Sequence, residues 1–418
     1  MTVALVDASG PLQPATLVPS ISKSDAQRAL VLSYALGANL ELPPDGWPDD
    51  LAVLSRGLQQ LPRAAAEQQT VDCRDGGAPF RFLLGQAAIT PRAHVRFIGT
   101  PRLGQRPRAP LLSALVKALG PHGFRTSLAG DPWPLDITGA GATGEPRFEI
   151  DASESSQFAS SLALAAGALA RRENRAWTIA LIGPLASEPY LDLTLRWMRL
   201  AGLSVRSKGS EITVESGNPT PGLPPIPGDW SSIGYLLPIA WRARGTTVAR
   251  VDLRSEHPDR EIVRHLQSIG LNLVERPDGL AVEGVTSGAL DATGRSCPDL
   301  LPTLAAIACV LQAPSLLRDV TILQAKESDR LAGITSLVTA FGARAQREGD
   351  DLRIHPAIRP PEEFEVDSRG DHRMVMAATT LAILGRCRVR VTDPYCVSKS
   401  FPGFWGELQK TGMLCEAE

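Results

Sequence analysis

The chain has 418 residues, of which 43% are hydrophobic and 21% charged, and carries a formal net charge of -2. That length allows two or three domains with sizeable cores, and the composition is that of an ordinary globular protein. The near-neutral charge argues against nucleic acid as the main partner, so any anion site must be assembled locally.

No stretch approaches the roughly 18 uninterrupted apolar residues of a membrane span. The opening MTVALVDASG lacks a basic signal-peptide region, and a cytosolic location is expected. Cys73, Cys297, Cys309, Cys387, Cys396 and Cys415 are far apart and show no metal-ligand spacing, so they read as reduced thiols.

In chain order, the Pro-rich PLQPATLVPSIS leads into SISKSDAQRAL, Ser20 to Leu30, where hydroxyls, Lys23 and Arg28 stand at the start of an apolar helix. GTPRLGQRPRAPLL sets Arg102 and Arg106 ahead of a helix whose apolar stripe is Leu111, Leu112, Leu115, Val116 and Leu119, opened by Pro110 and closed by Gly120. DASESSQFASSLALAA places Ser155, Ser156 and Gln157 before another helix. The Pro- and Gly-rich Ser216 to Trp230 reads as a crossing between domains. QAKESDRLAG brings Lys326, Glu327, Asp329 and Arg330 to the start of a helix with the stripe Leu331, Ile334, Leu337, Val338 and Phe341. GDHRMVMAATT adds Asp371, His372 and Arg373, and YCVSKSFPGF adds Lys399.

A helix ending in glycine and running into a strand hairpin recurs at Gly123, Gly202, Gly270 and Gly342, with a fifth such glycine at Gly412. The intervals of 79, 68, 72 and 70 residues suggest a unit of about 70 residues, and about six units fill the chain. Single-striped helices alternating with hairpins imply an α/β layering in which helices cover sheets. Free amides and the positive dipole at helix starts attract anions. Several such starts bearing Lys, Arg and Ser point to a small molecule with several anionic groups.

These segments resemble the enolpyruvyl transferase family, in its branch acting on shikimate 3-phosphate, from Ser20 to about Leu408. The resemblance rests on Lys23, Ser24 and Arg28; on Gly99 to Pro107; on Ser155 to Gln157; on SEPYLDLTLRWM with Ser187 and Tyr190; and on GDWSS, Gly228 to Ser232. CPDLLPTLAA with Asp299, KESDRL, DHRM and SKSFPGF complete it in family order.

The resemblance implies an inverse α/β barrel fold: two similar domains, each of three βαβαββ units, with the active site in the cleft between them. The domains would be residues 1–18 with 230–418, and residues 19–229. The implied reaction transfers the enolpyruvyl group of phosphoenolpyruvate to the 5-hydroxyl of shikimate 3-phosphate and releases phosphate, in the pathway to chorismate and aromatic amino acids. It needs no metal or organic cofactor, and a monomer is expected.

On the same grounds Asp299 is the base at the 5-hydroxyl and Glu327 handles the methylene proton, while Lys23 and Lys399 flank the phosphoenolpyruvate oxygens. Gly77, Arg106, Gln157, Arg330 and Arg373 would hold phosphoenolpyruvate together with those lysines. Ser24, Arg28, Ser155, Ser156, Ser187, Tyr190 and Lys326 would hold shikimate 3-phosphate, joined by Lys23, Gln157 and Asp299.

The family's amide-bearing loop appears here as DGGAPFR, with Asp75 for the amide and Ala78 for a threonine. A carboxylate 4 Å from a bound phosphate is repelled by about 1–4 kcal/mol, so weakened phosphoenolpyruvate binding is expected. Glu41 to Pro62 fits the family pattern only loosely. Two other readings remain: enolpyruvyl transfer to UDP-N-acetylglucosamine, whose enzymes carry a cysteine absent from GTPRLGQRPR, and a non-catalytic ligand-binding relative.

Overall fold

The computed structural model describes residues 2–126, 133–140, 144–218 and 220–417. Contacts divide the chain into two units, the first Met1–Ser22, Asp45–Pro48 and Pro227–Glu418, the second Lys23–Pro44 and Asp49–Ile226.

One sheet design recurs. In the second unit, Gln69–Asp72 and His94–Ile98 pair in parallel, and Leu135–Thr138 and Arg125–Thr126 follow antiparallel. The same order joins Arg147–Asp151, Trp177–Ile182, Glu211–Glu215 and Ser204–Lys208. In the first unit it joins Asp291–Thr293, Ser315–Arg318, Asp351–His355 and Arg344–Glu348. A helix bridges each parallel pair, since parallel strands need a long crossover. The repeat glycines Gly123, Gly202, Gly270, Gly342 and Gly412 all have positive φ, between 77° and 104°, a region that only glycine enters cheaply. Gly120 closes its helix as expected, as the right-handed cap after Leu119, and the left-handed turn falls three residues later at Gly123.

The first unit's other two sheets gather distant segments. Thr16–Leu17 lies parallel to Thr247–Val248, which pairs with the hairpin Leu271–Arg276 and Gly279–Gly284. Glu363–Val366 and Arg388–Thr392 are completed by Val3–Asp7 and Leu414–Ala417, so the N-terminal strand takes the place of a missing hairpin strand.

Among the described residues there are therefore five four-stranded sheets and not six. The sixth segment has helices Lys23–Leu36 and Asp49–Gln60, but between them only the isolated bridge Asn39–Gly222 forms. Pro43, Pro44 and Pro48 there supply no ladder N–H. The Pro-rich crossing Ser216 to Trp230 likewise contributes only isolated bridges, at Gly222 and Gly228, before the helix that starts at Trp230.

The layering is the reverse of the one expected from the helix stripes. Strands such as Val3–Asp7 and Arg147–Asp151 alternate buried and half-exposed positions, so their sheets face solvent on one side. Gly77–Ile89, Ser156–Glu173, Trp230–Arg242 and His372–Gly385 are buried almost all round, which marks interior helices. Sheets cover helices. Gly85 lets two of these helices approach closely, because a Cβ there would lie 2.4 Å from Ser161 Oγ. Among the described residues no helix is long and apolar enough to cross a membrane.

Candidate active site

In the second unit, polar side chains gather at the starts of the interior helices. Lys23 opens the helix Lys23–Leu36, and its Nζ donates to Asp50 Oδ2 at 2.9 Å. Gly76 precedes the helix Gly77–Ile89, and a Cβ on it would lie 3.0 Å from Asp50 Oδ1. A Cβ on Gly77 would lie 2.5 Å from Arg106 Nη1, so the buried guanidinium rests directly on the glycine backbone. Asp50, Gly77 and Arg106 thus lie side by side next to Lys23.

Arg81, one turn into that helix, donates to Gln157 Oε1 at 2.5 Å and to the Pro107 carbonyl at 2.7 Å, and its guanidinium stacks on Phe158. That bond assigns the other terminal atom of Gln157 as its amino group. Ser155 caps the helix Ser156–Glu173 by accepting the Gln157 amide.

Arg28 is a buried strut. It donates to Thr194 Oγ1 at 2.7 Å and to the carbonyls of Ser24 at 2.8 Å and Tyr190 at 2.9 Å, and its guanidinium faces the Phe82 ring. Burial lowers its proton affinity to about 10, against the opposing influence of Asp25 and Tyr190. Ser187, just before Tyr190, holds a left-handed backbone (φ 53°) with its side chain buried. That is a strained conformation for serine.

The first unit contains a second cluster, built around Arg330. This buried guanidinium donates to Asp299 Oδ1 at 2.9 Å, Glu327 Oε2 at 2.5 Å and Asp371 Oδ2 at 2.8 Å. Burial works against its charge, but the three carboxylates outweigh it and hold Arg330 above the ordinary guanidinium range. Arg373 donates to Asp299 Oδ2 at 2.7 Å and to its carbonyl at 3.2 Å. For Asp299, burial raises proton affinity, yet Arg373, Arg330 and Lys326 together keep its carboxyl below the usual carboxylate range. Lys399 Nζ stands 3.9 Å from Glu327 Oε1.

Asp371 orders this cluster. Fully buried, it caps the helix His372–Gly385 by accepting the Arg373 amide at 3.0 Å, and it also accepts from Ser328 Oγ and Arg330 Nε. The cluster can exchange a proton at two carboxylates and can bind an anion through two guanidinium groups and an ammonium.

Residues 22–408 match the family pattern described as EPSP synthase (3-phosphoshikimate 1-carboxyvinyltransferase). The chain belongs to the EPSP synthase family. A relative from Methanoculleus marisnigri named 3-phosphoshikimate 1-carboxyvinyltransferase is 34% identical over 98% of this chain and 99% of its own length. One from Methanopyrus kandleri with the same name is 32% identical over 94% of this chain and 89% of its own. Among solved structures, EPSP synthase from Acinetobacter baumannii shares the fold with a TM-score of 0.73 at 17% identity, each chain being covered completely. The enolpyruvyl transferase NikO from Streptomyces tendae gives 0.72 at 14% identity, over 100% of this chain and 99% of its own.

Within this EPSP synthase fold, Lys23, Gly77, Arg106 and Gln157 belong to the second-unit cluster, and Asp299, Lys326, Glu327, Arg330, Arg373 and Lys399 to the first-unit one. Ser24 and Tyr190 accept from Arg28 through their carbonyls, Ser187 precedes the helix that carries Tyr190, and Ser155 and Ser156 begin the helix that carries Gln157.

Sequence reasoning singled out Asp371 and the GDWSS segment without giving Asp371 or Ser231 a role, and it missed Asp50; Ser231 Oγ accepts from Arg373 Nη2 at 3.3 Å. Asp371 carried a usable signal as a capping residue directly before His-Arg. Asp50 lay in the segment that matches the family least and carried none.

Proposed function

We propose that the chain transfers the enolpyruvyl group of phosphoenolpyruvate to the 5-hydroxyl of shikimate 3-phosphate and releases inorganic phosphate. One observation carries this reading: Asp299 and Glu327, an acid/base pair, share the guanidinium of Arg330 within bonding distance. A protein that only bound anions would gain nothing from two carboxylates set against its own anion-binding groups.

In the first step Asp299 takes the hydroxyl proton, the oxygen bonds to C2 of phosphoenolpyruvate, and Glu327 delivers a proton to the methylene carbon. In the second, Glu327 takes a methyl proton back, the bond from C2 to the phosphate oxygen breaks, and the double bond reforms as phosphate leaves with the proton that Asp299 had taken. In this reading Arg330, Arg373 and Lys399, and likewise Lys23, Arg106, the Gly77 amide and Gln157, are phosphoenolpyruvate-binding groups. Ser24, Arg28, Ser155, Ser156, Ser187, Tyr190 and Lys326 serve shikimate 3-phosphate.

The resting ion pairs make the base conditional. While Arg330 and Arg373 bond Asp299, its carboxylate is a poor proton acceptor. An arriving carboxylate or phosphate competes for the same donors. As they turn to it, burial dominates the environment of Asp299 and raises its basicity. Proton transfer then follows substrate binding.

Residues 1–18 with 230–418, and 19–229, act in this reading as two domains of one monomeric cytosolic enzyme, without a metal or organic cofactor. The test is phosphate release from the two substrates together. Release confirms transfer; a melting temperature raised by shikimate 3-phosphate with no release would leave only a binder.

A further inference from the structure

The segment GDWSS marks a crossing of the chain, and nothing in the proposed chemistry uses it. Its side chains nonetheless reach into the first-unit cluster. Asp229 caps the helix Trp230–Arg242 by accepting both the amide and the hydroxyl of Ser232. The cap is thereby complete without Ser231, which points elsewhere. Ser231 Oγ donates to Asp259 Oδ2 at 2.5 Å and accepts from Arg373 Nη2 at 3.3 Å. Arg373 Nη2 also donates to Asp299 Oδ2 at 2.7 Å. All four residues belong to the first unit.

We propose that Ser231 and Asp259 are positioning residues for the transfer, forming a hydrogen-bonded chain that fixes the guanidinium plane of Arg373 and, through it, the carboxylate of Asp299. The inference rests on the proposed transferase reading, in which Arg373 holds phosphoenolpyruvate.

The chain has a direction. A serine hydroxyl has one proton and two lone pairs. Because the proton goes to Asp259, a lone pair faces Arg373, and the two N–H bonds of Nη2 are shared between Ser231 and Asp299. Without an acceptor at residue 259 the hydroxyl is free to turn its proton toward Arg373, donor against donor. Nη2 then has one fixed partner fewer, and the plane can rotate about the remaining contacts.

Asp259 is itself held firmly. It has no exposed surface, and its amide donates to His257 Nδ1 at 3.1 Å in the short turn Pro258–Glu261. Burial raises the proton affinity of its carboxyl; His257, Arg373 and the Ser231 hydroxyl oppose that rise. A buried carboxyl on a rigid turn that accepts from the Ser231 hydroxyl is a costly element for packing alone. Its position behind the arginine gives it a use.

The test compares the unaltered full-length chain with Ser231→Ala, Asp259→Ala, Asp259→Asn and the Ser231→Ala/Asp259→Ala double variant. It reads phosphate release under steady-state conditions and melting temperature. Ser231→Ala is expected to raise KM for phosphoenolpyruvate about tenfold, with KM for shikimate 3-phosphate changed less than twofold and a melting shift within about 2 °C. Asp259→Asn retains an acceptor and restores most of the affinity that Asp259→Ala loses. The double variant is no weaker than the worse single variant, because both act through one chain. If Asp259→Ala does not fold, Ser231→Ala and Asp259→Asn carry the comparison.

The inference is overturned by an unchanged phosphoenolpyruvate KM in Ser231→Ala, by equal losses for both substrates tracking a lower melting temperature, or by additive effects in the double variant. Absence of phosphate release from the unaltered chain overturns the transferase reading, and this inference with it. An active unaltered chain with an indifferent Ser231→Ala overturns this inference alone.

Discussion

The guanidinium of Arg106 rests on Gly77 with no room for even one added carbon: a Cβ there would come within 2.5 Å of Nη1, 2.6 Å of Cζ and 2.7 Å of Nη2. The obstructing group is the end of a long side chain, which can swing away at little cost to the fold. Gly77→Ala should therefore displace Arg106 and raise KM for phosphoenolpyruvate about tenfold or more, equivalent to at least ~1.4 kcal/mol, while the melting temperature holds. Equal KM values for variant and parent would show that Arg106 does not need this seat.

Asp75 stands two residues before Gly77 and is half-buried. Removing its charge should relieve repulsion of an incoming phosphate. Asp75→Asn is expected to lower KM for phosphoenolpyruvate severalfold, and an unchanged KM counts against the repulsion.

Glu327 bonds Arg330 and lies near Lys399, so its amide analogue keeps the shape but cannot carry the proton. Glu327→Gln should cut kcat by about 10²–10⁴ and leave binding of shikimate 3-phosphate, read by calorimetry, close to that of the parent. A kcat within threefold of the parent would remove Glu327 from proton transfer.

Acid should loosen the first unit through Asp299. Its folded carboxyl sits below the ordinary range, so it contributes stability above the unfolded pKa of about 4 and loses it as pH falls toward the folded value. Melting curves from pH 6 to pH 2 should show a decline setting in below about pH 4. Asp299→Asn should flatten that decline; parallel curves for the two proteins would deny Asp299 its share.

Arg28 serves three acceptors from a buried position. Lysine keeps the charge without the planar fork, so Arg28→Lys should destabilise by about 1–3 kcal/mol in chemical denaturation. No change in midpoint would mean that the strut carries no load.

Much of this protein was legible in its sequence, because the repeat announces itself locally. Glycines that end helices at Gly123, Gly202, Gly270, Gly342 and Gly412 adopt the positive φ that their position implied. The polar residues at helix starts were equally local, as at Ser155 and Asp329, whose side chains cap their helices. The layering was not. A buried helix such as Gly77–Ile89 owes its second apolar face to small residues, Gly85 and Ala87 among them, which a search for large hydrophobic stripes passes over. Nor was the mutual neutralisation of Asp299 by Arg330 and Arg373 visible, since it joins positions 31 and 74 residues away. The substituted sixth sheet was hidden for a similar reason: its prolines say what cannot form, and not what replaces it.

The strand Val3–Asp7 lies inside its sheet, flanked by Arg388–Thr392 on one side and Leu414–Ala417 on the other. In a nascent chain Val3–Asp7 must therefore wait for Arg388–Thr392, roughly 20–80 s later at ordinary rates of translation. Removing Leu414–Ala417 would strip only an outer ribbon, whereas removing Val3–Asp7 would pull a plank from the middle of the wall.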